Sequence, residues 1–507
     1  MSSAKRIISG SAASWINILV TLVFQIALVP VFLKYWTVNT YGAWILISSV
    51  INILTTLDRG HIDYLTYEFL RTDNRKKRFL SKLLWSGILM NTILCITELL
   101  VIGVLVKSNL VDALFGEYRH VSWQLLRQAK LSLVIQMLLW SVFNSNVALL
   151  YRFLFNYGYF PRYIWLNIIS TCINILVSIV AVMMGCDLLQ TVIYSSVAVA
   201  LFSLFQLANI FLLLRKVKVA LTAANLKLGF RNFITSLFFS LNTFLETFRQ
   251  QGVRLVITPF VGTSGLAAFS TMRTGANIAL QGLSTISNPL LPELMRFMKQ
   301  KEQEKIDASL GLVWFILTAL LAPGIVLLQY AAPGLFHLWT KGQITFNPLL
   351  FAFLSMGVLV YAIAQPGMTV IKGNNLLKIQ IVVGFLSTAT LMGSLLLLMP
   401  FLNILGVGIA LFLAEVVAAI GYFKNAKKWM IANHLTFPDY LHQICIVSLL
   451  ITAFSCVGFV YFDNAKLYVL AIAELFLFIN MIRFWNKMPS VAIQKISFFI
   501  KRYKLTY

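Results

Sequence analysis

Long apolar runs recur along this sequence, and they constrain the fold more than any other feature. The runs repeatedly exceed about 18 residues, the length at which a helix can cross the hydrocarbon core of a bilayer. Charged residues, proline or glycine bound each run. Fourteen membrane-spanning helices are predicted, near residues 12–33, 41–57, 83–106, 124–150, 164–185, 189–214, 232–260, 267–295, 309–330, 348–371, 379–399, 405–423, 441–462 and 467–482.

The composition places the chain in the same class. Hydrophobic residues make up 59% of the 507 residues, charged residues make up 11%, and the mean hydropathy is +0.83. Soluble domains carry roughly 25% charged residues. The chain is therefore predicted to be an all-α polytopic membrane protein.

Lysine and arginine are distributed unevenly between the two sides of the predicted membrane. With the N-terminus inside, the inside segments hold 31 of the 41 Lys and Arg residues, whereas the outside segments hold 5. Such residues accumulate in short cytoplasmic loops, so this distribution supports the span count and places both termini in the cytoplasm. The net charge of +24 is spread over many loops, which indicates topogenic charge and contact with anionic membrane lipids, and predicts no nucleic-acid partner.

Residue patterns for catalysis or metal binding are missing from the sequence. The five cysteines lie far apart, and no CxxC, HExxH, GxSxG, GxGxxG or P-loop motif occurs. The longest outer connections, 107–123 and 331–347, are too short for a folded catalytic domain. We therefore expect neither an enzyme nor a bound metal or cofactor.

Charged side chains interrupt the predicted seventh span, in the stretch SLNTFLETFRQQGVRLVITPF at 240–260. A charge at the bilayer centre costs roughly 3 kcal/mol, so charges in this span require a polar environment. At about 100° per residue, six polar or charged residues share one face of about 140°. They are Asn242, Thr243, Glu246, Arg249, Gln250 and Arg254. This pattern predicts that the face lines a water-filled cavity.

Three further predicted spans carry polar stripes of the same kind. The stripes are Ser14, Asn17, Thr21 and Gln25 in span 1; Ser48, Asn52, Thr55, Thr56, Arg59 and Asp63 in span 2; and Arg273, Asn277, Gln281, Ser284 and Asn288 in span 8. Spans 1 and 7 also align at a shift of 229 residues, which matches QIALVP with RLVITP. This predicts two six-helix lobes of like orientation, at 1–220 and 221–430, followed by two extra helices and a basic cytoplasmic tail at 431–507.

Three segments carry a resemblance to a known family. They read LVPVFLKYWTVNTYGAWILISSVINILTTLDRG, LSTISNPLLPELMRF and QPGMTVIKGNNLLK. On these segments the chain resembles the polysaccharide transporters of the multidrug/oligosaccharidyl-lipid/polysaccharide exporter superfamily, in particular the Wzx-type O-antigen flippases. The resemblance implies two six-helix bundles around a V-shaped central cavity, which helices 1, 2, 7 and 8 line and which opens alternately to each side. Arg59 departs from many relatives, which are apolar there, and adds a positive group at the cytoplasmic entrance.

The charge of the predicted cavity favours an anionic substrate. Drug exporters of the superfamily favour acidic or neutral aromatic cavities, whereas Arg249, Arg254 and Arg273 here outnumber Glu246. A guanidinium binds phosphate bidentately, and amide side chains suit sugar hydroxyls. The predicted amides are Asn17, Gln25, Asn52, Gln250, Asn277 and Gln281. We therefore expect a bacterial inner-membrane flippase for undecaprenyl-pyrophosphate-linked oligosaccharide, an O-antigen or other surface-polysaccharide unit, with a polysaccharide polymerase and a chain-length regulator as further partners.

Other interpretations remain open on the same residues. Each arginine could instead pair within the protein or extend toward the membrane interface, and Glu246 could pair with Arg249 or bind a coupling ion or proton. Glu98 could pair with a bundle arginine. The last two helices could hold the lipid tail or pack at the periphery. The alternative functions are export of a teichoic-acid precursor, a capsule precursor or a drug, and, less favoured, glycan polymerisation, which should require a large outer loop.

Overall fold

The fold is helical throughout the described part of the chain. The structure is a computed structural model that describes residues 3–73, 75–115, 122–219, 222–490 and 493, with the side chains of all these except 3–12, 14, 279, 282–292 and 463. Within these residues no β-strand occurs, and short connections join the helices. The all-α membrane fold predicted from the sequence is confirmed.

Contacts between residues divide the chain into two compact units, Met1–Ser270 and Thr271–Tyr507. The helices of the first unit are α1 (Ser3–Tyr35), α2 (Val38–Leu54), α3 (Thr56–Arg71), α4 (Lys77–Lys107), α5 (Asn109–Phe115), α6 (Trp123–Leu139), α7 (Ser145–Leu154), α8 (Phe160–Met183), α9 (Leu188–Val217), α10 (Leu226–Thr247) and the beginning of α11 (Val253–Gln300). Two π-helical segments, Trp140–Asn144 and Phe248–Gly252, continue α6 into α7 and α10 into α11.

The second unit contains the rest of α11 and seven further helices. They are α12 (Gln303–Ile316), α13 (Ala322–Thr340), α14 (Pro348–Gly373), α15 (Leu377–Leu402), α16 (Ile404–Ala432), α17 (Asp439–Tyr461) and α18 (Lys466–Lys487). A third π-helical segment, Leu317–Leu321, joins α12 to α13.

The number of membrane crossings differs slightly from the predicted fourteen. Among the described residues, twelve helices are long and apolar enough to cross a membrane, or thirteen if α2 and α3, bent by 48°, form one span. One of these, Leu226–Ile278, joins the predicted seventh and eighth spans. Its 53 residues would measure about 80 Å as a straight helix, more than twice the hydrocarbon thickness. Gly262, at φ 71°, interrupts the helical conformation between the two predicted spans, so this stretch is long enough for two crossings.

Helix α10, the predicted seventh span, packs against α3 and α4 within the first unit. Glycines allow the close approach, because a Cβ at Gly60 on α3 would lie 2.3 Å from Cα of Ser240 on α10. A Cβ at Gly229 on α10 would likewise lie 2.7 Å from the carbonyl oxygen of Ser86 on α4. The boundary between the units therefore lies after residue 270, whereas the lobes at 1–220 and 221–430 and the terminal region at 431–507 stay a prediction.

The two C-terminal helices belong to the second unit. Helix α17 packs against α13 and α14, and α18 packs against α13 and α17. The side-chain amide of Asn480 on α18 donates to the carbonyl oxygen of Ile444 at 2.9 Å and to Oγ of Ser448 at 2.8 Å, both on α17. Polar as well as apolar contacts therefore fix this helix pair.

Candidate functional site

A polar cavity lies in the first unit between α2, α3 and the junction of α10 with its π-helical segment. It has a volume of about 310 Å³ and is lined by Asn52, Arg59, Thr243, Glu246, Thr247, Gln250 and Gln251. Every lining residue is polar or charged, although 59% of the chain is hydrophobic. The structure thus brings together three residues that were predicted to bind substrate, Asn52, Arg59 and Gln250, and Glu246, which was predicted to face the same cavity.

The bend between α2 and α3 shapes one wall of this cavity. Oγ1 of Thr55 donates to the carbonyl oxygen of Ile51 at 2.8 Å, and Oγ1 of Thr56 donates to that of Ile53 at 2.7 Å. Threonine side chains that bond back to the preceding turn in this way often bend helices. The 48° bend falls between Asn52 and Arg59, which both line the cavity.

Arg59 has a defined orientation in this wall. Nη1 and Nη2 each donate to Oδ1 of Asn52 at 3.3 Å, and the guanidinium carbon lies 4.4 Å from the centroid of the Trp140 ring. Stacking on the indole face is a cation–π interaction. A guanidinium has five N–H donors, and no other described residue accepts from Arg59. The stacked cation therefore retains donors for an anion in the cavity.

Gln251 connects the cavity to Arg254. Its Oε1 accepts a hydrogen bond from Nη1 of Arg254 at 2.8 Å and one from Oγ of Ser49 at 3.3 Å. Gln251 lines the cavity, whereas Arg254 does not. Arg254 therefore acts behind the cavity wall, where it holds the amide of Gln251 in position.

The π-helical segment Phe248–Gly252 changes the predicted polar face. A π-helical turn closes hydrogen bonds between residues five apart, so it accommodates more residues per turn than an α-helix and shifts the faces that follow. Arg249 lies inside this segment and is buried, with 9% of its surface exposed, whereas Thr247 and Gln251 line the cavity although they lie outside the predicted face. The single α-helical face predicted across 242–254 is therefore not present. Substrate binding by Arg249 and Arg254 stays a prediction.

The remaining predicted site residues lie on α1 and α11. Asn17 is partly buried and Gln25 is exposed, both on α1. Three residues lie on α11 in the second unit, each partly buried: Arg273, Asn277 and Gln281. The side chains of Ser14, Ser284 and Asn288 lie outside the described residues.

A buried polar cluster adjoins Arg59 through Trp140. Nε1 of Trp140 donates to Oδ2 of Asp58 at 2.9 Å, and Oγ of Ser145 donates to the same oxygen at 2.6 Å. The backbone N–H of Asp58 donates to Oε1 of Glu98 at 3.3 Å. Two carboxylates therefore meet behind the cavity wall.

Sequence reasoning did not bring this cluster together. It left Glu98 as a possible partner of a bundle arginine and assigned Asp58 no role, although both carboxylates lie within candidate membrane-spanning helices. A charge at that depth is costly and is by itself a signal of function. Trp140 and Ser145 carried no signal, because their importance depends on which side chains they contact.

Comparison with known proteins identifies the fold. No protein-family model matches the sequence, and no curated protein matches it significantly. An inward-facing multidrug resistance MATE family transporter of the MOP superfamily matches with a TM-score of 0.59 at 15% identity, over 82% of this chain and 95% of that chain. A mutant of the Vibrio cholerae MATE transporter VcmN matches with a TM-score of 0.53 at 14% identity, over 85% and 97%. An outward-facing multidrug resistance MATE family transporter matches with a TM-score of 0.51 at 14% identity, over 85% and 96%. The chain therefore shares the fold of MATE transporters.

Proposed function

We propose that this protein is a flippase that moves an undecaprenyl-pyrophosphate-linked oligosaccharide across the bacterial inner membrane by alternating access. The observation that carries the proposal is the polar cavity of the first unit, in which amides and hydroxyls surround an oriented guanidinium. The shared fold supports the transport mechanism, because transporters of this fold adopt both inward-facing and outward-facing conformations.

Arg59 supplies the positive charge that an anionic headgroup requires. Its stacking on Trp140 and its hydrogen bonds to Asn52 order the side chain in advance, so less entropy is lost when a phosphate binds. Hydrogen bonds from a guanidinium to phosphate oxygens are charge-assisted and roughly twice as strong as neutral ones. Arg249 and Arg254 add positive charge to the same helical region, against Glu246, so the sign of the charge favours an anion.

The uncharged lining suits sugar hydroxyls. The amides of Asn52, Gln250 and Gln251 and the hydroxyls of Thr243 and Thr247 both donate and accept hydrogen bonds, as sugar hydroxyls do. A volume of about 310 Å³ is at the lower end for ligand pockets. The cavity therefore fits the pyrophosphate and the first sugar, and the polyprenyl tail remains in lipid.

The residues on the other helices complete the proposed substrate path. In this proposal Asn17 and Gln25 on α1, and Arg273, Asn277 and Gln281 on α11, contact the oligosaccharide as it crosses. Both termini lie in the cytoplasm, and a polysaccharide polymerase with its chain-length regulator uses the delivered units on the outer side.

Drug export is the second candidate function. The solved structures that share the fold include multidrug resistance transporters, and Glu246 offers a carboxylate to an organic cation in the same cavity. The two candidates predict opposite preferences for substrate charge, and this difference can be measured directly.

Binding to the purified full-length protein in lipid nanodiscs separates the candidates. The probes are an undecaprenyl-pyrophosphate-linked oligosaccharide, the same oligosaccharide on an uncharged polyprenol, and ethidium as an organic cation. We expect tight binding of the pyrophosphate probe alone. Arg59→Ala should weaken it about tenfold to hundredfold, since a charged hydrogen bond contributes about 1.5–3 kcal/mol. Arg59→Lys should weaken it less, because the charge remains while the bidentate fork is lost.

Arg71→Ala is the matched control, because Arg71 is an exposed arginine on the same helix. It should leave binding of all three probes unchanged. Ethidium binding that Glu246→Gln abolishes and Arg59→Ala leaves intact would assign the cavity to drug export instead.

A further inference from the structure

We propose that Asp58 and Glu98 form a proton-binding site inside the first unit, and that Trp140 connects this site to Arg59 in the cavity. The two carboxylates come from α3 and α4, and neither lines the cavity. The connection to Arg59 rests on the proposed function of the cavity, whereas the proton site rests on its own geometry.

Both carboxylates are removed from solvent. Asp58 is 0% exposed and Glu98 is 4% exposed. Oδ2 of Asp58 accepts the hydrogen bonds from Ser145 and Trp140, and Oε1 of Glu98 accepts the one from the backbone of Asp58. The second oxygen of each carboxylate, Oδ1 of Asp58 and Oε2 of Glu98, accepts no hydrogen bond from any described residue.

This geometry is incompatible with two bare negative charges. A carboxylate oxygen of Asp58, one of Glu98 and Sγ of Cys95 all lie within 4.8 Å of one another. Like charges at this separation repel strongly in a low-dielectric interior, and each charge has also lost its hydration. In the described part of the chain no lysine or arginine forms a salt bridge with either carboxylate. A cation bound at the two unpaired oxygens would remove this repulsion.

A proton satisfies this site better than a metal ion does. Hard cations such as Ca²⁺ take about 6–8 oxygen ligands, whereas the third group here is the thiol of Cys95, which suits soft metals. The neighbouring polar groups are donors already directed at Asp58. Nδ2 of Asn91 donates to Oγ of Ser145 at 2.8 Å, which leaves the hydroxyl proton of Ser145 to point at Asp58. A proton on one unpaired oxygen needs only one neighbouring acceptor.

Other titratable or charged groups lie on the helices packed around the pair. They include Arg59, His61 and Asp63 on α3, Cys95 on α4, Lys130 on α6, Arg152 on α7 and Glu246 on α10. Three of them are engaged elsewhere, because Asp63 pairs with Arg152 and Lys130 pairs with Asp112. Nδ1 of His61 lies 3.2 Å from Oγ of Ser236 on α10. Arg59 is therefore the cation that couples the charge of the Asp58–Glu98 pair to the cavity.

Trp140 joins the proton site to the cavity. Its Nε1 donates to Asp58, and the face of its ring carries the guanidinium of Arg59. A hydrogen bond to an ionised carboxylate is stronger than one to a neutral acid. Protonation of the pair therefore weakens the hydrogen bond that orients Trp140. The indole ring on which Arg59 stacks is then held less firmly in position. Proton occupancy would thus alter the affinity of the cavity for an anion.

The chemical step is a proton transfer to water. On release, the O–H bond of the carboxylic acid breaks, its electron pair stays on the carboxylate oxygen, and a water molecule takes the proton. Uptake reverses these changes.

Infrared spectroscopy of the full-length protein in liposomes tests the site without any transport substrate. The difference spectrum between acidic and alkaline buffer should contain the C=O stretching band of a buried carboxylic acid, shifted on exchange into D₂O. Asp58→Asn combined with Glu98→Gln should remove this band. Each single substitution should change the pH at which the band of the remaining acid disappears, because its neighbouring carboxylate is gone. Glu302→Gln, in a half-buried ion pair with Lys305, should leave the band unchanged.

The outcomes decide between the alternatives. A band that survives in the double variant, or that titrates identically in both single variants and the unmodified protein, would overturn the proton site. Loss of the band on adding Na⁺ at constant pH would assign the unpaired oxygens to a cation instead. Asparagine and glutamine keep the size and hydrogen-bonding capacity of the acids, so the single variants should fold.

Trp140→Phe tests the connection to Arg59 separately. Phenylalanine keeps an aromatic face for stacking but removes the N–H donor to Asp58, so the pH at which the carboxylic acid band disappears should change. Binding of the pyrophosphate probe should also lose its dependence on pH. A pH dependence that survives Trp140→Phe would refute the connection and leave the proton site intact. Failure of the probe to bind the unmodified protein would contradict the proposed function and leave the infrared result unaffected.

Discussion

Replacing Gly60 with alanine should force α3 and α10 apart at the cavity. A Cβ at Gly60 would lie 2.3 Å from both Cα and Oγ of Ser240. Carbon atoms in contact stay about 3.5 Å apart, so the helices would have to separate by about 1.2 Å. Rotation of a side chain cannot relieve this clash, because Cα of Ser240 belongs to the backbone. The helices that carry Arg59 and Glu246 would therefore move relative to each other.

The size of the effect follows from three contributions. Overpacking of this kind costs about 1–3 kcal/mol. Alanine is more favourable than glycine in a helix by about 0.5–1 kcal/mol, which offsets part of this cost. Separation also weakens the hydrogen bond from Oγ of Ser240 to the carbonyl oxygen of Leu57, now at 3.2 Å and worth about 1 kcal/mol. The net loss in the free energy of unfolding should be about 1–3 kcal/mol.

Gly103→Ala is the matched control for this prediction. Gly103 is also helical and in the first unit, but no described atom lies within 4 Å of the position that its Cβ would occupy. This variant should be as stable as the unmodified protein or more stable by up to about 1 kcal/mol. Reversible unfolding in mixed micelles measures both variants, and affinity for the pyrophosphate probe reports on the cavity. If Gly60→Ala matched Gly103→Ala in both measurements, the close approach of α3 and α10 would be refuted.

Two further predictions concern topology and the C-terminal helices. A reporter that is active only outside the cell membrane should be active when fused at about residue 112, 338 or 464, and silent when fused near residue 75, 222, 303 or 433. Activity of the fusion near residue 222 would contradict the like orientation of the two lobes. Asn480→Ala should lower the free energy of unfolding by about 0.6–1.7 kcal/mol, because it removes both hydrogen bonds between α18 and α17. Asn433→Ala removes only a bond within one helix and should be nearly neutral, so equal effects of the two substitutions would contradict the reasoning.

The helical spans could be predicted because each one depends on its own residues. Whether a segment enters the membrane is set by the transfer of its side chains into lipid, and the charge of the adjoining loops biases its direction. Such local properties can be read along the chain, which explains why the all-α fold is confirmed. The break between the predicted seventh and eighth spans is also a local property, since Gly262 lies there with a backbone φ of 71°, a conformation that suits glycine.

The cavity could be predicted only in part. Asn52, Arg59, Glu246 and Gln250 were selected by helical periodicity, which holds as long as the helix is regular. The π-helical segment Phe248–Gly252 breaks this regularity, so Arg249 is buried and Gln251 reaches the cavity. Helix packing, and not the order of the residues, decides where such an extra residue is accommodated.

Amino-acid order alone determined the membrane class, the helical spans and the polar character of α2, α3 and α10. Only the tertiary structure decided which polar groups meet. Asp58 and Glu98 are forty residues apart, and Trp140 and Ser145 follow after a further forty or more, yet each of the other three forms a hydrogen bond with Asp58. Periodicity within one helix does not indicate which residues of other helices it contacts. The packing of α3, α4 and α7 against one another is set by the sum of many contacts. The same packing turns two costly buried acids into one site that can bind a proton.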